Sequence, residues 1–271
     1  MRLNSYEKEV GREVDAWQNG EGSIITQVLN WAMQPMDWVV GKVISGDVED
    51  QVDDIISQAL SILNDASKWT HDHDDILRAA NEMSMNVGSI RELRDEPLEK
   101  LDELAKSVFT QNQILAAVEG GGTGLGGIVF IAADIPLLFA INLRMIQQIG
   151  ASYGFELDSP DYSPLVLSIF NVAASGGRQT KTDAVREISV AAAAFANDLE
   201  YRGKVRGSFR EQNRHLPREI IKNILGRKLA QVIPIAGAAV GAGVNYWFTT
   251  ETAKAAYMLF RTLYLERKER M

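Results

Sequence analysis

The sequence contains no cysteine. That excludes a disulfide framework, a thiolate nucleophile and thiolate-bound zinc. It also lacks G-x-S-x-G, a Walker A loop and H-E-x-x-H, so the usual hydrolase and nucleotide-binding signatures are missing. The opening residues, MRLNSYEKEVGREVDAW, carry charge but no apolar run. No secretory signal is expected from them, and a cytosolic location is the default. Strand-type alternation is almost absent, and so are internal repeats and long low-complexity tracts. No large basic surface dominates, which argues against nucleic acid as a partner.

What is present is helical periodicity and unevenly placed charge. The 271 residues are 46% apolar and 24% charged, enough to bury a core without covalent staples. The formal net charge of −8 divides unequally: residues 1–110 carry 10 Lys/Arg and 22 Asp/Glu, residues 111–271 carry 18 and 14. Such a division implies two regions with different partners, or two regions that face each other. From Val52 to Leu63, the positions Ile55, Ile56, Ala59, Leu60 and Leu63 share one helix face. Val185, Ile188, Ala192, Phe195 and Leu199 do the same, with Thr182 placed to cap that helix. Breaks are expected at Gly46-Asp47, Thr70 to Asp75, Asp95 to Pro97, Asp158 to Pro164 and Ser175 to Gly177. The expected fold is all-α, with about nine to eleven helices.

Two stretches are poor in charge. Gly120 to Leu143 carries only Asp134, and Leu229 to Phe248 carries no charge. Each is long enough to cross a bilayer. Asp134 near the middle of the first would cost about 2.5–3.5 kcal/mol on insertion. The second is mostly Ala and Gly and includes Gln231 and Asn245. Buried core helices are therefore expected rather than membrane spans.

Glycines occur at small-xxx-small spacing in both stretches: Gly122 with Gly126, Gly237 with Gly241. Each costs about 1 kcal/mol against alanine in a helix. Either the two helices cross closely there, or a phosphate or lipid headgroup sits at a glycine-rich helix start. Gly122, Gly124 and Gly127 match G-x-G-x-x-G, but no strand precedes them, so a dinucleotide site is not expected.

Asp134 stands two residues before Pro136. It either caps a helix that restarts at Ile135, or it is a buried carboxylate that needs a partner such as Arg144 or Asn245. Glu119 is a second carboxylate in an apolar setting, and paired carboxylates can divide acid and base roles. His71 and His73, within THDHDD, carry metal-ligating chemistry. Residues two apart do not share a helix face and no third ligand is clustered with them, so a solvated turn is expected, with no metal and no cofactor. Arg202, Arg206, Arg210, Arg214, Arg218 and Lys222 recur every four residues. They form a basic stripe that either pairs with the acidic first half or contacts anionic lipid headgroups, and Pro217 interrupts it.

The segment AAVEGGGTGLGGIVFIAADIPLLFAINLRMIQQIGASYGFELDSPD resembles the core of the EcsC family. The resemblance rests on Glu119-Gly120, the glycine run Gly121 to Gly127, Ala133-Asp134-Ile135-Pro136, Arg144 and Tyr153-Gly154. IPIAGAAVGAGVNYWFTTETAKAA is similar to the family's closing segment through Ile233-Pro234, Gly237, Gly241 and Asn245. The division it implies is an acidic helical region, 1–97, before an EcsC-like helical core, 98–271. The family's namesake is encoded with parts of an ABC transport system. The resemblance therefore implies a membrane-proximal accessory or interaction protein, peripheral at the inner face of the membrane, whose partner is an anionic membrane surface or a membrane protein complex. The alternative is a hydrolase or lipid-modifying enzyme using Glu119 and Asp134 with Arg144.

Overall fold

A computed structural model describes residues 3–19, 49–65, 71–123, 128–158, 162–174 and 237–270. Every regular element among them is helical. In chain order these are α1 (Ser5–Gln18), α2 (Glu49–Asn64), α3 (His73–Glu82), a 3-10 helix (Ile90–Asp95), α4 (Leu98–Thr123), α5 (Ile128–Ser152), α6 (Ser163–Ala174) and α7 (Gly237–Arg270). The all-α expectation holds. Helix starts and stops follow local chemistry. The Asn4 side chain accepts from Glu7 N–H, and the Glu7 carboxylate accepts from Asn4 N–H, a reciprocal cap at the start of α1. Asp72 caps α3 through a 2.9 Å bond from Asp74 N–H. The breaks expected at Thr70 to Asp75, Asp95 to Pro97 and Asp158 to Pro164 fall at element boundaries in their described parts, while those at Gly46-Asp47 and Ser175 to Gly177 lie outside the described residues.

The frame is α4, α5 and α7, which pack on one another, with α4 against α7 the most extensive seam. Around it, α1 lies on α7, α2 and α3 lie on α5, and α6 lies against both α5 and α7. The amphipathic helices bury one stripe each: Val10, Val14 and Trp17 on α1, Ala59 and Leu63 on α2, Ile76 and Ala80 on α3. On α2, Leu60 is partly buried beside that stripe, as the periodicity of residues 52–63 implies. By contrast, α5 and α6 are buried on almost every side beyond Ile135, which is why their sequence shows little amphipathic pattern. Phe170 of α6 meets Phe139 of α5 and Phe248 of α7 edge-on, each at 5.1 Å between ring centres.

The described parts of the charge-poor stretches are helical, and burial is described only from Ile135 and from Asn245 onward. The first is divided between the end of α4 and the first part of α5, and the second contributes Gly237 to Phe248 at the start of α7. Among the described residues, no helix is long and apolar enough to cross a membrane. One local expectation is corrected. No helix restarts at Ile135, because α5 runs unbroken from Ile128 through Pro136 to Ser152. Asp134 is therefore an interior helix position and not an N-cap. Pro136 removes one backbone hydrogen bond, costing about 3 kcal/mol, and the burial of α5 against five neighbouring α-helices offsets it.

Candidate functional site

A buried ionic cluster sits where α1, α4, α5 and α7 meet. Asp102 of α4 is 1% exposed and Arg261 of α7 is 4% exposed. Asp102 accepts from Tyr153 Oη at 2.5 Å, Tyr6 Oη at 2.7 Å, Arg261 Nη2 at 2.6 Å and Arg261 Nε at 3.0 Å. Arg261 also donates through Nη1 to Glu13 at 2.6 Å and lies over the Tyr257 ring at 4.0 Å. Burial, and then the Asp102 carboxylate, push Tyr6 up to about 12 and Tyr153 well above its ordinary value. Burial alone would lower Arg261, but hydrogen bonding to Asp102 and that carboxylate's charge hold it above its usual range. Close by, Lys268 pairs with buried Glu7. In both places the acidic α1 is fastened to basic residues of α7. Asp102, Arg261, Tyr6 and Tyr153 are all hydrogen-bonded within the cluster, so its chemistry is that of a lock between helices.

Beside this lock a cavity of about 290 Å³ opens between α4, α5 and α7. It is lined by Lys106, Phe109, Ile149, Thr250, Ala253, Lys254, Tyr257 and Met258. Its walls are apolar, so the two lysines line it through their methylene stems. The Lys106 ammonium lies 6.0 Å from the centre of the Tyr257 ring. Tyr257 thus belongs both to the cavity wall and to the ionic lock. A greasy slot lined by lysine stems, whose ammonium groups lie off the apolar wall, suits a ligand with an apolar body and an anionic end.

A third cluster gathers at the start of α3. His71, His73 and Asp158 each offer a ligand atom, all within 4.8 Å of one another. His73 Nε2 lies 2.8 Å from Asp158 Oδ2, and the two histidine ring centres are 5.0 Å apart. Burial, then the neighbouring His73, lowers the pKa of His71 and favours its neutral form. By sequence alone the two histidines belong to a solvated turn without a third ligand. The fold brings Asp158 to them from the turn after α5, 85 residues further along the chain. No local spacing signals that approach.

Residues 8–265 match the EcsC protein family. The chain belongs to the EcsC family. Relatives include Protein EcsC of Bacillus subtilis (strain 168), 29% identical over 165 residues, 60% of this chain and 63% of the relative. Another is Uncharacterized protein YdbA of the same organism, 25% identical over 182 residues, 64% of this chain and 61% of the relative. The chain thus spans about three-fifths of each relative's length. No solved structure matches it.

Two family residues acquire a physical role. Tyr153 anchors Asp102, as described, and Gly154 turns the chain out of α5 at φ +85°. The Gly154 carbonyl accepts from Arg94 Nε at 2.6 Å, and a Cβ there would stand 2.8 Å from Arg94 N. In this chain Tyr153-Gly154 is therefore a structural corner. Arg144 is exposed on α5. Ten residues separate it from Asp134, about 15 Å of helix axis, so α5 does not bring the two together as an ion pair. The backbones of Glu119 and Gly122 lie near the end of α4, and those of Gly237 and Gly241 in the first turns of α7. The side chains of Glu119 and Asp134 fall outside the described residues, as do Gly126, the helix read over 182–199 and the stripe Arg202, Arg206, Arg210, Arg214, Arg218 and Lys222. Asn245, the other partner considered for Asp134, is fully buried on α7.

Proposed function

We infer that this protein is a non-catalytic, membrane-proximal accessory protein of the EcsC type that takes the end of an anionic amphiphile, such as one acyl chain of an acidic lipid. The observation that carries this reading is the apolar cavity between α4, α5 and α7, with Lys106 and Lys254 on its lining. Its apolar wall gives the driving force, roughly 25 cal/mol per Å² of apolar surface removed from water. The ammonium groups then select an anionic head over a neutral one. The basic stripe at 202–222 would add attraction to an acidic bilayer, about 1 kcal/mol for each residue near the surface. The enzyme alternative needs Glu119, Asp134 and Arg144 to converge. The run of α5 between Asp134 and Arg144 counts against it.

Co-sedimentation with vesicles tests this reading. Full-length protein pellets with vesicles containing phosphatidylglycerol, less as salt rises, and stays in solution with phosphatidylcholine alone. Lys106→Glu with Lys254→Glu weakens pelleting several-fold, and Arg206, Arg210 and Arg214 changed to Glu weaken it further. Wild-type protein that stays in the supernatant with acidic vesicles at low salt refutes direct lipid contact.

A further inference from the structure

We propose that His71, His73 and Asp158 form a binding site for a divalent first-row transition metal of the zinc class, with a further coordination position open to solvent. Two imidazoles and one carboxylate are the donor set that such ions prefer over calcium or magnesium. The three donors belong to two separate parts of the chain, the start of α3 and the turn after α5. Ligand atoms around one such ion stand about 3–3.5 Å apart, from bond lengths of about 2.0–2.2 Å. Here they lie within 4.8 Å, so side-chain rotation closes the set without moving a helix.

The second observation is what these groups fail to do with one another. Both ring nitrogens of His71, Nε2 of His73 and Oδ1 of Asp158 are shielded from solvent and complete no hydrogen bond among the described residues. The 2.8 Å approach of His73 to Asp158 therefore lacks the alignment of a hydrogen bond. Gln147 of α5, 0% exposed, is close enough to His71 to act on its proton, yet neither of its amide atoms completes a hydrogen bond. Unsatisfied polar atoms gathered at one place cost about 1–3 kcal/mol each, and one cation would satisfy several of them together. In the bound state Gln147 is placed to orient the His71 ring, the role that groups around a metal's own ligands commonly take. The side chains of His73 and Asp158 are 29% and 38% exposed, which leaves a path from solvent. Arg144 bears on the charge of His71 from nearby and favours an anion or water as a further ligand over a second cation.

The site is independent of the lipid cavity and is tested without it. Untagged full-length protein is stripped with chelator and titrated with zinc by calorimetry, and with cobalt(II) by visible spectroscopy. One equivalent binds with submicromolar Kd, and cobalt gives the ligand-field bands of a low-coordinate nitrogen and oxygen site. Affinity falls about 100-fold or more in His73→Ala and Asp158→Asn, and about 10-fold in Gln147→Leu. His215→Ala, at the remaining histidine of the chain, leaves it unchanged. Asp158→Asn is nearly isosteric and partly exposed, so it decides the matter if His73→Ala does not fold. No stoichiometric binding by wild-type protein, or binding that survives Asp158→Asn or depends on His215, overturns the proposal.

Discussion

Replacing Arg261 by Met tests the ionic lock most directly. The substitution keeps much of the side-chain volume and removes two of the four hydrogen bonds that Asp102 accepts, with the cation that neutralises it. Asp102 then stays buried with two tyrosine hydroxyls. Glu13, half exposed, turns to water at little cost. Breaking a buried pair from one side costs about 3–5 kcal/mol, because the orphaned charge remains. That is a large share of a typical folding free energy of about 5–15 kcal/mol. At about 2–4 °C per kcal/mol for a chain approaching this size, the melting midpoint falls by about 6–20 °C. Tyr153→Phe removes one bond to a charged acceptor and costs about 1.5–3 kcal/mol. Asp102→Leu combined with Arg261→Met should be milder than the two single losses added, with a coupling near the upper end of about 0.5–3 kcal/mol. Urea unfolding followed by far-ultraviolet circular dichroism measures all of these, provided the slope with denaturant is unchanged. An Arg261→Met midpoint within error of wild type, or strict additivity in the double variant, would refute the claim that this pair fastens α4 to α7.

Three further outcomes follow from the same geometry. A Cβ at Gly150 would stand 2.6 Å from Leu157 Cδ1 and 2.9 Å from Phe260 Cζ. Those are the ends of flexible side chains, so Gly150→Ala should cost about 1–3 kcal/mol in a thermal melt. Gly154→Ala should cost more, about 2–4 kcal/mol, because it adds left-handed backbone strain to a clash with Arg94 N, which cannot move aside; an equal or smaller loss would contradict the corner assigned to Gly154. Stability should also fall at high pH. Tyr6 is raised from 10.0 to about 12 and Tyr153 is raised as well, so their contribution is complete below pH 10 and is lost as pH climbs towards 12. Melting midpoints measured from pH 8 to 12 check this, and spectrophotometric ionisation of every tyrosine at its ordinary value in the folded protein would contradict it.

Local chemistry made much of this protein readable in advance. The apolar stripe at 52–63 and the breaks at 70–75, 95–97 and 158–164 each depend on residues a few positions apart, and such patterns survive in a linear string. That the two charge-poor stretches make poor membrane spans was legible from Asp134 in the first and from the Ala and Gly content of the second. The continuity of α5 through Pro136 was not legible. Proline's local penalty argues for a break, and only burial against neighbouring helices outweighs it. The importance of Tyr153 and Gly154 showed in the sequence only as family likeness. Their work, bonding to Asp102 and turning beneath Arg94, depends on contacts 51 and 60 residues away. The same limit hid the partners of His71 and His73, the pairing of Asp102 with Arg261 across 159 residues, and the cavity with its two lysines. Charge, capping and periodicity were set by the sequence itself. Which buried charge meets which, and which polar atoms are left without partners, was decided by the packing of α4, α5 and α7, because those energies depend on distance in space and not along the chain.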